Sequence, residues 1–256
     1  MYYLIQKNIF QDPRYDEIFH VMKALNLPFQ EVSFQPNSTE LNIETTRKDI
    51  FVYGSVKLAK TATNYDWKPG SFYGNNHEYE KYSVGYGANI LNHGSFIKQF
   101  SEPFNWDTNQ TLFIKPSKDA KVFTGKVFSK PEWEDFVYNT LNSKEDNRVD
   151  GATQIQVSKS YNVIKEARVW IINRKVITSS YYLFHGNVEY EENVSKDGLC
   201  FAKEMADLYN VADAYVMDIC KTHNGWKIME VNCINSAGFY KADVKAIIVA
   251  LEEFYE

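Results

Sequence analysis

The chain has 256 residues, 44% of them apolar, and a formal net charge of −5. That length gives room for one large domain or two small ones, and an acidic balance without a basic stripe argues against a nucleic-acid backbone as partner. Cys200, Cys220 and Cys233 show no CxxC spacing, which argues against a disulfide framework or a zinc site and fits a reducing cytosol.

No apolar run approaches the ~20 residues that span a bilayer, and the opening residues reach charge too soon for a signal peptide. A cytoplasmic protein without membrane contact is expected. The 18 Tyr, 17 Phe and 5 Trp read chiefly as core and half-buried wall.

MYYLIQKN reads as a first strand. Ile18, Phe19, Met22 and Leu25 mark a helix by their spacing, and FQEVSF follows as a second strand. DIFVYGSV is a third. Residues 60–76 turn to Thr, Asn, Gly and Tyr and read as a loop, and 82–100 as a strand or turn followed by a helix. SEPFNWDTNQ (101–110) is a connection, so the division falls into 1–104, a small α/β unit, and 105–256.

The second part is richer in strands. TLFIKP stops at Pro116, KVFTGKVF resembles a bent hairpin, and PEWEDFVYNTL is an amphipathic helix. TQIQVSK, KEARVWII and KVITSSYYLF are strands, the last two joined at Asn173-Arg174. GLCFAKEMADLY is a helix, AYVMDICK and WKIMEVN form a hairpin, and KADVKAIIVALEEFY ends the chain as a helix. No internal repeat is present.

The hairpin AYVMDICKTHNGWKIMEVN can be registered by the alternation of its faces. A two-residue Asn224-Gly225 turn would set Asp218 against Val231 and mix an acid into an apolar row. A three-residue loop, His223-Asn224-Gly225 with Gly225 left-handed, sets Asp218 against Glu230, Met217 against Val231 and Ile219 against Met229. Lys221 and Lys227 then meet beside the turn. Asp218, Glu230 and Asn232 share the other face, either as a solvated outer surface or as a hard-oxygen site suited to Mg²⁺.

Lys115 ends an apolar strand at Pro116, either as an edge lysine reaching for water or as a phosphate ligand beneath the loop 117–125. That loop lacks P-loop spacing. Lys121 and Lys126 flank its end. Arg168 shares a face with Trp170 and Ile172, so it is partly buried and paired, either to a structural carboxylate or to a phosphoryl group. The five histidines show no ligand or triad spacing, and no GxSxG or Cys–His pattern supports a nucleophilic hydrolase.

FIKPSKDAKVFTG, EARVWIINRKVITSSYY, YVMDI and WKIMEVNCINSAGFY stand in the order found in ATP-grasp enzymes. Over roughly residues 105–256 the chain resembles the ATP-grasp clade named for one arginine and two lysines. The resemblance implies an α+β fold in which two α+β subdomains enclose ATP, preceded here by the small α/β unit. It implies Mg²⁺ at Asp218, Glu230 and Asn232, Lys115 at the α- and β-phosphates, and Lys121, ahead of Lys126, as second lysine. Gln156, Val157 and Ser158 fall at the adenine hinge, Arg168 at the γ-phosphate, and Ser236 and Tyr240 near the acceptor.

The activity implied is an ADP-forming, Mg-ATP-dependent ligase that joins a small-molecule or peptide carboxylate to an amine, or to a thiol, through an acyl-phosphate. The loop 117–125 is the expected lid, although it holds fewer glycines than the family's. A phosphotransferase on the same ATP site and a non-catalytic nucleotide-binding module are the alternatives.

Overall fold

The computed structural model describes all residues except 8–11, 13, 35–40, 42, 44, 118–121, 144–148 and 256. Its internal contacts divide it into two compact units, Met1–Tyr86 with Val163–Glu256, and Gly87–Asn162. The division expected at residues 104 and 105 cuts across the second unit.

The first unit opens with β1 (Tyr2–Gln6), α1 (Glu17–Ala24), β2 (Phe29–Val32) and β3 (Ile50–Tyr53), and its three strands form a parallel sheet in the order β2-β1-β3. Both faces of this sheet are covered, so its strands are continuous apolar runs. Tyr3, Ile5, Phe51 and Tyr53 face one core, whereas Leu4, Ile50 and Val52 face another with Leu58, Ala62 and Trp67.

Leu58 and Ala62 belong to α2 (Val56–Asn64), which occupies part of the stretch expected to be a loop. Its threonines are satisfied within the helix: the Thr61 hydroxyl donates to the Lys57 carbonyl at 3.0 Å and that of Thr63 to Ala59 at 3.4 Å. Ser55 caps its start by accepting from the Leu58 N–H at 3.3 Å. A polar composition therefore concealed a helix whose apolar face is only Leu58, Ala59 and Ala62.

Next comes α3 (Tyr79–Tyr86), then β4 (Phe96–Gln99), which reverses the expected order of strand and helix. Tyr82 and Tyr86 are buried one turn apart, and Gly87, at φ +52, follows the helix end. The second unit continues with β5 (Leu112–Pro116), β6 (Lys126–Phe128), α4 (Lys130–Asn142) and β7 (Gln154–Lys159), giving an antiparallel sheet in the order β4-β7-β5-β6. The expected bent hairpin over 121–128 is instead a pairing of β6 with β5. Ser129 and Glu132 form a capping box at the start of α4. Phe100, Ile114, Phe128, Trp133, Ile155 and Val157 fill the core of this unit.

Returning to the first unit, β8 (Lys165–Ile172) and β9 (Lys175–Phe184) form a hairpin. Asn173 and Arg174 both have positive φ, the type I′ geometry that matches strand twist. An unexpected β10 (Asn187–Glu191) follows, then α5 (Lys196–Leu208), β11 (Ala214–Thr222), β12 (Gly225–Cys233) and α6 (Val244–Tyr255). The antiparallel order is β10-β9-β8-β11-β12. One face packs on α5, while Trp170, Ile172 and Val216 on the other join the core beneath α6.

Asn235 fastens the segment after β12 to the parallel sheet. Fully buried, it donates to the carbonyls of Val52 (2.7 Å) and Gly70 (3.3 Å) and accepts from the Phe72 N–H at 2.9 Å.

The cysteines differ sharply in access. Cys200 is exposed on α5, whereas Cys220 and Cys233 are buried and burial pushes each thiol up to about 12. At pH 8 a disulfide thiol reagent should therefore titrate Cys200 rapidly in the native protein and all three cysteines only in denaturant. A rapid reaction at a second thiol of the native protein would contradict this packing.

Candidate functional site

Irregularities in the second sheet of the first unit shape its polar face. Asp218 lies opposite Glu230 as expected, but Thr222 pairs with Gly225, so the turn is His223-Asn224 and shorter than the expected loop. Gly225 does have positive φ, +107. The register is restored by a bulge at Met229: Ile219 faces Ile228 rather than Met229, and Lys221 faces Trp226 rather than Lys227.

The cause lies on the other face of the sheet. The bulge buries Ile228 completely and turns Trp226 toward α5, where its Nε1 donates to Asp197 at 2.8 Å. It also brings Lys227 opposite Cys220, onto the face of Asp218. A second bulge, in β9, admits Tyr182 as an extra residue opposite Glu166 and Ala167.

Across this face Arg168, Asp218 and Glu230 stand in register on three adjacent strands. Arg168 donates from Nε and Nη2 to the two oxygens of Asp218, each at 2.8 Å. Their side chains are 11% and 2% exposed. Burial by itself would favour the neutral guanidine, but the charge and hydrogen bonds of Asp218 outweigh it and keep Arg168 protonated. Burial likewise drives the Asp218 carboxyl upward, against the pull of Arg168.

Asn232 donates to Asp218 at 3.2 Å and to Glu230 at 3.0 Å. Its amide nitrogen thus bridges two carboxylates, and a half-turn of the amide would offer an oxygen there instead. Among the described residues no three His, Cys, Asp or Glu side chains gather as a metal site. Two carboxylates and an amide nevertheless fit a hard cation that takes its remaining ligands from phosphate and water.

Sequence reasoning missed several neighbours. Glu166, two residues before Arg168 on the same face, accepts from the Tyr182 hydroxyl at 2.6 Å; burial raises its carboxyl, with Asp218 and Glu230 adding to the rise. Tyr182 is visible only once the bulge is known. Tyr240, an expected site residue, places its ring 5.1 Å from the Arg168 guanidinium and stacks on Tyr190 of β10 at 5.2 Å. Ser236, half-buried, ends the short 3₁₀ turn Ile234–Ser236 after β12.

The remaining expected residues belong to the second unit. Lys115 pairs with Gln156, so both point away from the face of Ile114, Ile155 and Val157. Gly125 passes so close that a Cβ there would lie 2.6 Å from that of Lys115. Gln156 is 2% exposed, donates to Ser95 at 2.8 Å, and has a buried Oε1 without a partner among the described residues. Ser158, also buried, donates to the Phe113 carbonyl at 3.3 Å. Val157 is core. Lys126 pairs with Ile114 and lies over the rings of Phe128 and Phe136, on the opposite face from Lys115. Lys121 and residues 118–120 of the expected lid fall outside the described residues.

Removing one partner of a buried ion pair leaves an uncompensated charge, at a cost of about 3–5 kcal/mol. Asp218→Ala should lose that much in urea unfolding, and a double Asp218→Leu, Arg168→Met variant should recover most of it. A loss below about 1 kcal/mol for the single variant would show that the pair is not buried as described.

No curated protein matches the chain in sequence. Among solved structures, a D-alanine–D-alanine ligase from Bacillus anthracis aligns over 98% of this chain and 96% of its own, with a TM-score of 0.65 and 10% identity. The D-cycloserine synthetase DcsG aligns over the whole of both chains at 0.65 and 6% identity. The ATP-grasp ligase PsnB, complexed with a minimal precursor, aligns over 100% of this chain and 99% of its own at 0.62 and 12% identity. All three share the fold. A family model for the ATP-grasp domain, the third family of the clade named for one arginine and two lysines, matches residues 72–251. That match spans well over half of the chain and includes the row from Arg168 to Glu230, so the protein belongs to this clade of the ATP-grasp family.

Proposed function

We propose that this chain is an ADP-forming, ATP-dependent ligase that activates a carboxylate as an acyl-phosphate and transfers it to an amine. The observation that carries this reading is the row Arg168–Asp218–Glu230 on one face of the sheet, with Asn232 bridging its two acids. It combines a fixed, permanently charged guanidinium with a hard-oxygen set. Phosphoryl transfer to a carboxylate requires both, since negative charge accumulates on the γ-phosphoryl oxygens.

In the first step a carboxylate oxygen attacks the γ-phosphorus, the bond to the β-phosphate oxygen breaks, and ADP leaves. Arg168 binds the γ-phosphoryl oxygens, its donors shared between them and Asp218. Magnesium, held by Asp218, Glu230 and Asn232, would supply the countercharge for the phosphates. In the second unit, Lys115 binds the α- and β-phosphates, and the strand around Gln156, Val157 and Ser158 holds the adenine, with Gln156 Oε1 a buried acceptor that has no donor among the described residues. Lys121 is the second lysine of this reading.

In the second step the amine attacks the acyl carbon, inorganic phosphate leaves, and the amine gives up a proton. Ser236 and Tyr240 lie next in sequence to the acid-bearing strand and are assigned to the acceptor. A thiol could take the amine's place by the same chemistry. The PsnB structures include a precursor peptide, and the other two similar enzymes are named for D-alanine and for D-cycloserine, so both peptide and small-molecule carboxylates belong in a screen.

Calorimetric titration with Mg-ATP, on wild type and Glu230→Ala together, tests the nucleotide site. Metal-dependent binding should appear in the wild type and fall at least tenfold in the variant, with the fold retained. Screening carboxylates with hydroxylamine as a trapping amine then tests the chemistry, since an acyl-phosphate gives a hydroxamate and ADP. A stable phosphorylated product without hydroxamate would make the protein a phosphotransferase. Absence of nucleotide binding in both proteins would leave a non-catalytic module.

A further inference from the structure

Tyr240 covers Arg168 from a turn that the Ala242 N–H closes onto the Phe239 carbonyl at 2.9 Å, and contacts from elsewhere in the chain fix where that turn sits. Its backbone is left-handed, φ +54, a conformation that a residue with a bulky side chain adopts only where its surroundings impose it. The residues on either side of the turn show what imposes it.

On the downstream side the Lys241 N–H donates to the hydroxyl of Ser180, which lies opposite Arg168 in β9, at 3.1 Å. The Asp243 N–H donates to Thr178 on the same strand at 3.0 Å. On the upstream side the contact comes from more than two hundred residues away. One carboxylate oxygen of Asp12 accepts the N–H groups of both Phe239 and Tyr240, the latter at 3.1 Å. Successive N–H groups around a left-handed residue form a concavity that binds an anion, and Asp12 supplies that anion from within the chain.

The fit is close. A Cβ on Gly238 would lie 3.2 Å from the same Asp12 oxygen, and the other oxygen accepts the Arg14 N–H at 3.0 Å, so the carboxylate is itself held. The Tyr240 ring, set by this backbone, lies between Tyr182 and Tyr190, each 5.2 Å away, and 5.1 Å from the guanidinium.

We propose that Asp12 is a positioning residue for Arg168: by holding the Gly238–Tyr240 turn it fixes the Tyr240 ring against the guanidinium, and so keeps that group aimed for its anionic substrate. This gives the opening segment, which carries no expected site residue, a part in the site. The inference rests on the ATP-ligase reading only for the identity of the anion, the γ-phosphate.

The test therefore has two readouts. With 3-fluorotyrosine at position 240, ¹⁹F NMR should give one dispersed resonance in the full chain, moved by Arg168→Lys. Asp12→Ala should shift it toward free 3-fluorotyrosine and broaden it, whereas Asp12→Asn, whose amide oxygen still accepts both N–H groups, should leave it near its original position. Asp12→Ser serves if the alanine variant does not fold. The second readout is the ratio of the dissociation constants of Mg-ADP and of a non-hydrolysable Mg-ATP analogue.

In the wild type the analogue should bind more tightly than ADP. Asp12→Ala should cut that preference by about three- to tenfold, which corresponds to ~0.7–1.4 kcal/mol, while ADP affinity stays the same. An unmoved resonance in Asp12→Ala, or an unchanged preference for the analogue, overturns the proposal. A wild type that binds neither nucleotide overturns the ATP reading instead and leaves the resonance to decide the role of Asp12.

Discussion

The ion pair between Arg168 and Asp218 is the constraint around which this sheet is arranged. Taking a guanidinium and a carboxylate out of water costs several kcal/mol for each ion, and only good geometry and further hydrogen bonds repay it. The pair satisfies both conditions, with two parallel bonds at 2.8 Å and an additional N–H from Asn232. An apolar pair of similar volume would stabilise the sheet about as well. Stability alone therefore gives no reason for two ions at the centre of a five-stranded sheet, whereas a site that must present a fixed positive charge to an anion does. The guanidinium is only slightly exposed, and the Tyr240 ring lies 5.1 Å from it.

What surrounds the pair is held by contacts remote in sequence. Asn235 ties the segment after β12 to the carbonyls of Val52 and Gly70, and the Tyr53 hydroxyl donates to the Ala237 carbonyl. Asp12 then receives the next turn. The parallel sheet, whose strands β1 and β3 carry no expected catalytic side chain, thus acts as a template for the loop that follows the acid-bearing strand. Tyr53 and Phe239 stack at 4.9 Å within the same core, so apolar packing and hydrogen bonds define one position for this loop. Rigid support of this kind is what a site needs when its reacting groups must be held to within a fraction of an ångström.

The legible parts of the sequence were those where local pattern and tertiary environment agree. Alternation along β11 and β12 led to Asp218 opposite Glu230, because acids and apolar residues separate cleanly onto two faces there. Alternation could not reveal the bulge at Met229, since the shorter turn and the extra residue cancel beyond it. The difference survives only on the turn side, where Lys227 moves to the acid face. In α2 the helix was hidden by threonines that bond back to their own helix, and β10 is too exposed to show a pattern. Asp12 and Tyr182 had no local signal at all, and Glu166 only its place two residues before Arg168: each becomes informative through a partner placed by strand pairing or by a turn in another part of the chain.

The distribution of charge on the polar face gives the site its direction. Glu166, Asp218 and Glu230 stand there against Arg168 and Lys227, and burial together with mutual repulsion raises Glu166. A polyphosphate approaching such a face meets net repulsion unless positive charge arrives with it, because Arg168 is already committed to Asp218. Displacing that commitment would strand a buried carboxylate, which is costly. In the proposed reading a divalent cation held by Asp218, Glu230 and Asn232 would remove the conflict, since it would neutralise the acids and allow Arg168 to share its donors with a phosphoryl group. In the proposed reading, then, metal and nucleotide bind as a unit, and the acids that alone would repel an anionic substrate are the means by which it is held.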